Sequence, residues 1–249
     1  MTAVKRGAKF LYGLREDVRL PKQTGASTFG YAASEQGGVS ESNPTFGTLS
    51  MQPKIGGTYV DYSYQLLVQS NPAIDMLLND DLSIVTSLGL DKYYYHGSGA
   101  SGEPTGLAAV SGVGTVDGTD FGIDQAVELI TDVLSGNALS PNSAWVTDPV
   151  TWGLLRKRLM FIYGTETIID KDNLLLGAYP GDISNQITSP YLFFGDHSQG
   201  LIGLWGDGIT ILVDPYTGIT TGNTRVRVLV ANQYGFRQPG AFTISTNVS

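Results

Sequence analysis

Few residues in this chain have the type and spacing to do chemistry, and the most suggestive are glycines. In "HGSGASGEPTG", Gly97, Gly99 and Gly102 spell G-x-G-x-x-G. That spacing lets a tight turn bring backbone N–H groups against a pyrophosphate. The chemistry needs a strand before the glycines and a helix starting at them, so that the phosphate meets a helix N-terminus. Here a helical pattern comes before. After comes "EPTGLAAVSGVGTV", with Pro104, Gly106 and further glycines, where no helix starts in register. A dinucleotide site is therefore not expected, and the glycines are read as ending a helix and letting the backbone turn sharply. The only histidines are His96 and His197. His197 beside Asp196, with any of the serines, makes a triad conceivable. There is no G-x-S-x-G elbow, however, and a histidine exposed beside a glycine turn is usually bland. Two histidines and scattered carboxylates show no metal-ligand spacing, and no P-loop or EF-hand loop is present. The absence of cysteine excludes disulfides, zinc thiolates and cysteine nucleophiles. The chain is read as a non-enzyme with no cofactor and no metal.

The elements around these residues follow from periodicity. Residues 1–31 lack a clear period, and "LPKQTGASTFG" reads as extended or loop. Residues 32–57 are polar and rich in Gly and Ser in the middle. "TFGTLSMQPKI" and "TYVDYSYQLLV" alternate, and are expected to pair as a long hairpin arm with a mobile tip. Thr58, Val60, Tyr62 and Tyr64 fall on one side of it, and Tyr59, Asp61 and Ser63 on the other. Asn71 as N-cap and Pro72 at the first position open a helix over 72–95, about 36 Å long. Ile74, Leu77, Leu78, Leu82, Val85 and Leu88 form its apolar face. Asp75, Asp80 and Asp81 lie in its first half and Lys92 near its end, as the helix dipole prefers. Gly89 is its weak point. A second helix is expected over 120–136, capped by Asp124, apolar at Val127, Ile130, Val133 and Leu134, and closed by Gly136. "SAWVTDPVTWGLLRKRL" reads as a buried strand at Ala144–Val146, an Asp148 cap, Pro149 at the first helical position, and a helix. That helix turns Trp152, Leu155 and Leu159 inward and carries Arg156, Lys157 and Arg158 in its last turn. The last third is mostly β, with a hairpin turn expected at Gly206-Asp207-Gly208. "TRVRVLV" sets Arg225 and Arg227 opposite Val226 and Val228.

Composition narrows the role. The chain has 249 residues, of which 41% are hydrophobic and only 15% charged, where about 25% charged is usual. Low charge density means that much of the surface need not face water. Glycine, at 32 residues, promises turns and hairpins. No apolar run approaches the ~18 residues of a membrane helix, and no h-region follows the basic N-terminus. Residues 1–22 carry Lys5, Arg6, Lys9, Arg15, Arg19 and Lys22 against Glu16 and Asp17, a net +4 on a chain of −8, which leaves the remainder near −12. A basic segment on an acidic body can bind nucleic acid or lie along the acidic body of a neighbouring copy. The second is favoured, because the acidic body repels phosphate.

Taken in order, these features resemble the major capsid proteins of tailed bacteriophages, whose fold is named after phage Hong Kong 97. Three segments carry the resemblance: the Y-x-H-G-x-G…G-x-P-x-G stretch from Tyr94 to Gly106, "AWVTDPVTWGLLRK" from Ala144 to Lys157, and "LLLGAYP" from Leu174 to Pro180. The resemblance implies an α+β fold with an N-terminal arm at 1–31 and an E-loop hairpin at 32–60. It also implies a peripheral domain of 61–107 plus 200–235 holding the long spine helix, and an axial domain of 108–199 plus 236–249. It implies self-assembly through hexamers and pentamers into the icosahedral head shell of a virion, built in the host cytoplasm around double-stranded DNA without sequence-specific binding. A portal, a scaffold and a decoration protein are the further partners. An encapsulin-like nanocompartment is the alternative, which the glycine-proline turn fits less well. Subunit contacts are expected at Lys5, Arg6, Lys9, Arg15, Arg19, Lys22, Glu35 and Glu41. Relatives often begin with a scaffolding segment that a protease removes. This sequence reaches its arm within 25 residues, so a separate scaffold or prior removal is expected. Some relatives crosslink an E-loop lysine to a neighbour's asparagine. No lysine lies between Gln23 and Pro53, so that crosslink is not expected.

Overall fold

The computed structural model describes residues 1–31, 41–63, 65, 73–160, 166–218 and 222–249. The chain opens with a short helix α1 (Thr2–Lys5) and strands β1 (Lys9–Leu14), β2 (Val18–Gly25), β3 (Thr45–Met51) and β4 (Lys54–Ser63), before the long helix α2 (Ala73–His96). There follow β5 (Gly114–Asp117), α3 (Ile123–Ser135), β6 (Ala144–Thr147), α4 (Pro149–Lys157), β7 (Leu174–Leu175), β8 (Tyr179–Ile183) and β9 (Leu192–Gly195). The chain closes with β10 (Gly200–Gly218), β11 (Asn223–Phe236) and β12 (Phe242–Thr246).

These strands make two sheets and a ribbon. The first sheet has the order β1-β10-β11-β4, the second β5-β12-β9-β6-β8-β7, and β2 pairs with β3 alone. Period-two patterning decides the faces. Along β11, Val226, Val228 and Val230 are buried while Arg227 is exposed, as the alternation predicts. In register with it, Val60 and Tyr62 of β4 turn inward and Tyr59 and Asp61 outward. Helix α2 lies over the valines through Leu82 and Leu90. The second sheet is buried more deeply. All four residues of β6 and of β9 are inside, and α3 and α4 supply Leu129, Val133 and Leu155 to the same core. Each such large side chain contributes ~2–3 kcal/mol of apolar burial. A third cluster, around Tyr94, Tyr95, Phe193, Phe236 and Phe242, joins the end of α2 to both sheets. All five rings are in contact: Tyr94 meets Tyr95 edge-on and Phe236 at a tilt, Tyr95 meets Phe193 at a tilt, and Phe236 meets Phe242 edge-on.

Several local expectations hold. Asp148 Oδ2 accepts the Val150 and Thr151 N–H groups at 3.0 and 3.1 Å, and Pro149 opens α4. Others need correction. "TFGTLSM" pairs with Val18–Gly25, while Lys54–Ser63 pairs with β11. The expected hairpin partners therefore separate, β3 to β2 and β4 to the longer β11. Gly206-Asp207-Gly208 is a bulge inside one continuous strand, with a register shift between Leu204 and Ile209. Two positive-φ glycines in an apolar run suit a bulge as well as a hairpin. Helix α3 begins at Ile123 and is capped by Gln125, whose Oε1 accepts the Gly122 N–H at 2.8 Å, with Asp124 in its first turn. Its inward stripe is Ala126, Leu129 and Val133, while Val127 and Leu134 are exposed, as is Leu159, which lies just past the end of α4 rather than on it. Small Ala126 permits close packing and sets the phase. The expectations for Glu35, Tyr64 and the Asn71-Pro72 cap lie outside the described residues. Among the described residues no helix is long and apolar enough to cross a membrane.

Candidate subunit-contact surfaces

Two of the glycines that prompted the question of phosphate binding, Gly97 and Gly99, spend their N–H groups on carbonyls of the helix end and of the turn. The Gly97 N–H closes α2 on the Tyr93 carbonyl at 3.0 Å, Gly106 N–H returns to the Gly97 carbonyl at 2.9 Å, and Gly99 N–H goes to the Pro104 carbonyl at 3.3 Å. A Cβ on Gly97 would collide with the Pro104 and Tyr93 carbonyls, and one on Gly106 with Gly97 N and the Tyr93 carbonyl. Close backbone approach is what demands glycine at these two positions. Ser98 donates its hydroxyl to Glu103 Oε2 at 2.6 Å, which holds that carboxyl below its ordinary range. The turn closes on itself and offers no cradle for an anion.

The histidines do not form a triad. His96 Nε2 accepts the Thr188 N–H at 3.0 Å, and burial pushes its pKa down. His197 was expected at the surface. It is fully buried in a box of Tyr94, Tyr95 and Phe242 rings. A short turn folds it under, because Asp196 spends its carboxylate on the Ser198 N–H at 2.9 Å rather than on the imidazole. Burial lowers the His197 pKa to about 4, so the ring is neutral. Among the described residues, no group of three or more His, Asp or Glu could hold a metal ion.

Charge at the N-terminus serves the chain itself in part. Asp91, on the buried side of α2, accepts the Thr2 N–H on both oxygens at 3.0 Å and the Ala3 N–H at 3.2 Å. Asp182 on β8 pairs with Lys5 and Arg6, each at 2.5 Å, and Arg6 also donates to the Gly181 carbonyl at 2.7 Å. Lys5 and Arg6, expected at a subunit contact, thus fasten the first turn to the second sheet. Sequence reading missed both acids. The available signal was an aspartate between Leu90 and Tyr94, on a turn of α2 whose neighbours are apolar. Lys9, Arg15 and Arg19 are exposed and have no ion pair among the described residues. Lys22 lies half-buried in a cleft of about 530 Å³ that Arg237 also lines. Glu41 is exposed and accepts from Asn43 Nδ2 at 2.8 Å.

The apolar surface left uncovered is concentrated on three elements. The first half of α2 exposes Met76, Leu77 and Ile84 at 57–70%. Leu77, Val85 and Leu88, read from spacing as an inward face, are on the surface here, because Leu78, Leu82 and Leu90 are the leucines that face the buried valines of the sheet. The distal part of β10 exposes Ile209, Ile211, Leu212 and Val213. The ribbon is anchored at its base, where Met51 is buried against Gly203 and Gly235, and Trp205 Nε1 donates to the Glu16 carbonyl at 2.8 Å. Past that base, Phe46, Phe29 and Tyr31 are bare. Arg225 stacks over exposed Tyr59 at 4.3 Å and grips Asp61 with two bonds of 2.7 Å, holding that carboxyl below its ordinary range.

Two sheets joined through one long helix, with a separate strand ribbon and a glycine turn closing the helix, make the Hong Kong 97-type capsid fold. The sequence matches the phage capsid family over residues 4–246, and the chain belongs to that family. It is 30% identical over 240 residues to the major capsid protein of Halomonas phage phiHAP-1, a match that takes in 96% of this chain and 39% of that relative's length. The chain thus spans about two fifths of that relative. Its fold is similar to the capsid of a native GTA particle computed with C5 symmetry, with a TM-score of 0.78 and 17% identity, over 99% of this chain and 90% of that one. A chain from Mycobacterium phage Ogopogo gives a TM-score of 0.71 at 15% identity, over 98% of this chain and 91% of that one.

Proposed function

We propose that this chain is the structural subunit of a tailed-phage head, self-assembling through hexamers and pentamers into an icosahedral shell around double-stranded DNA. The observation that carries the reading is the bare apolar surface on α2, β10 and the ribbon of a chain in the phage capsid family. Exposed apolar area of that extent marks contact with other chains, and many modest contacts multiplied over a shell make it stable. In this reading the four-stranded sheet with α2 is the peripheral domain, and the six-stranded sheet with α3 and α4 is the axial one. The β2–β3 ribbon is the E-loop, which begins before residue 32. Lys9, Arg15, Arg19, Lys22, Glu35 and Glu41 contribute to contacts between copies. A scaffold, a portal and a decoration protein complete the assembly. The relatives named above are phage and GTA capsids, which favours a phage head over an encapsulin-type compartment.

Electron microscopy and light scattering of the purified chain test this. Closed shells, or rings of five and six copies, are expected. A chain that stays monomeric at high concentration, with or without a scaffold supplied, contradicts the proposal.

A further inference from the structure

Strand β4 ends the order of the four-stranded sheet. It pairs with β11 on one side, and among the described residues its other edge, Lys54–Asp61, has no strand partner. An unpaired edge offers a row of N–H and C=O groups to a further strand, and natural proteins commonly blunt it with proline, a bulge, charge or a very short strand. β4 runs for 10 residues in unbroken register with β11 and contains no proline. Its only charges over 54–61, Lys54 and Asp61, stand at the two ends. Between them Ile55, Gly56 and Gly57 are exposed in succession.

The helix flank above that edge is open as well. Helix α2 lies over β11 and β4. Val85, Gly89 and Tyr93, each one turn apart, wall a cleft of about 160 Å³ together with Gly56, Gly57 and Thr58 of β4. Val85 and Tyr93 are 44% and 37% exposed. At Gly56 and Gly89 nothing stands within 4 Å of where a Cβ would lie. The edge of the sheet and the flank of the helix are thus uncovered side by side.

A second copy of the same edge supplies what is missing. Antiparallel self-pairing brings the Lys54 end of one strand to the Asp61 end of the other, whereas parallel pairing sets like charges together. Antiparallel pairing about a two-fold axis perpendicular to the sheet keeps both α2 helices on one face. Strands lie about 4.8 Å apart, so a helix between β11 and β4 sits roughly 5 Å from that axis. The two helices are then roughly 10 Å apart, the distance at which helices pack. With Thr58 opposite Thr58, Tyr59 of each copy stands opposite Gly57 of the other, a pairing in which the ring covers the glycine.

We propose that β4 pairs antiparallel with β4 of a second copy about a two-fold axis at Thr58, making one continuous sheet and setting the Val85–Gly89–Tyr93 flanks of the two helices against each other. The contact is isologous, the same patch on both copies, so it stops at two. Contacts around a ring of five or six are heterologous, and this one therefore joins copies that belong to neighbouring rings. It deepens the shell reading above and rests on it.

The chain has no cysteine, so a single introduced cysteine reports self-contact. Thr58→Cys and Ile55→Cys would each be oxidised under assembly conditions and run on a denaturing gel. Directly opposed residues of an antiparallel pair have Cα atoms about 4.5–5.5 Å apart, inside the ~4.4–6.8 Å that a disulfide requires. Thr58→Cys should therefore give a cross-linked dimer. Ile55 is the more exposed of the two but stands opposite Asp61 in this register, so Ile55→Cys should not cross-link, which separates pairing from random collision. In parallel, the double variant Ile55→Lys/Val85→Lys should melt as the unmodified chain does and give about tenfold fewer closed shells, with rings accumulating instead. Particles of the unmodified chain with no Thr58→Cys dimer, or with Ile55→Cys cross-linking equally well, overturn the two-fold contact and leave the shell reading standing. Closed shells of the double-lysine variant in undiminished yield overturn it too. A Thr58→Cys dimer without particles of the unmodified chain supports the contact and sinks the shell reading. Neither particles nor dimer sinks both.

Discussion

Helix α2 is two different objects along its length. Its last turns bury Leu90, Asp91, Tyr94 and Tyr95, with the Asp91 carboxylate bonded to the N-terminal backbone and the final carbonyls closed by the Gly97 turn. Its first turns expose Met76, Leu77 and Ile84. Both halves are apolar in composition, yet the first sends only Leu78 and Leu82 to the core among its described side chains, while the last turns are buried far more fully. The difference separates residues that hold the monomer together from residues held in reserve for a neighbour. Distal β10 and the ribbon belong with the reserve half, and the two sheets with the other.

The largest effect should come from the closed turn at the buried end. Gly97→Val places side-chain carbon inside two carbonyl oxygens, and the variant should accumulate as insoluble protein or unfold without a cooperative transition. Asp91→Ala comes next. It leaves the Thr2 and Ala3 N–H groups without their acceptor, a loss of ~1–3 kcal/mol for each group left buried and unbonded. Thermal melts should fall accordingly, and hydrogen exchange should rise first in residues 2–8.

Acid should act on the same buried end. Burial lowers the His197 pKa to about 4, from an ordinary value near 6.5. Asp196, Asp91 and Asp182 oppose the shift and Arg6 adds to it. The unfolded chain then binds the proton more readily than the folded one. The stability that the neutral ring contributes is fully present above about pH 6.5 and is lost as pH falls toward about 4, on the order of 3 kcal/mol in all. Denaturant titrations across that window should show the decline, and His197→Phe, which keeps a ring in the aromatic box, should flatten it. An unchanged slope in that variant would assign the acid sensitivity to other groups.

The reserve half should respond in the opposite way. Met76→Ser with Leu77→Ser should change the monomer's stability by no more than ~0.5 kcal/mol, as exposed substitutions do, while reducing assembly measured by light scattering. A modest effect of opposite sign sharpens the boundary between the halves. Gly89 sits mid-helix with open space where a Cβ would go, so Gly89→Ala should stabilise by about 1 kcal/mol through helix propensity alone.

What could be read from sequence divides along the same line. Strands buried on one face were legible, because "TRVRVLV" can alternate in only one way against a core, and Asp148-Pro149 has one local meaning. The phase of α2 and α3 was not legible. A helix that stores apolar residues for another chain carries leucines on more than one side, and spacing alone cannot say which of Leu77 and Leu82 its own sheet will reach. Strand partners were equally hidden, since β3 and β4 are each apolar enough to pair with the other and each is claimed by a different strand, β3 by β2 and β4 by β11. His197 gave no sequence signal of its burial and Asp91 only a faint one from its apolar neighbours, because what encloses them comes from distant positions: Thr2 and Ala3 for Asp91, and Tyr94, Tyr95 and Phe242 for His197. The glycine pattern was readable only in context: the helix before it, and not the spacing, decided its meaning.

The most direct test is amide hydrogen exchange followed along α2 in the monomer and in assembled particles. The account predicts that residues 90–96 are protected in both states. It predicts that residues 76–88, distal β10 and residues 26–31 exchange faster in the monomer and gain protection on assembly. Equal protection of the first and second halves of α2 in the monomer, or no gain in the first half on assembly, would contradict it.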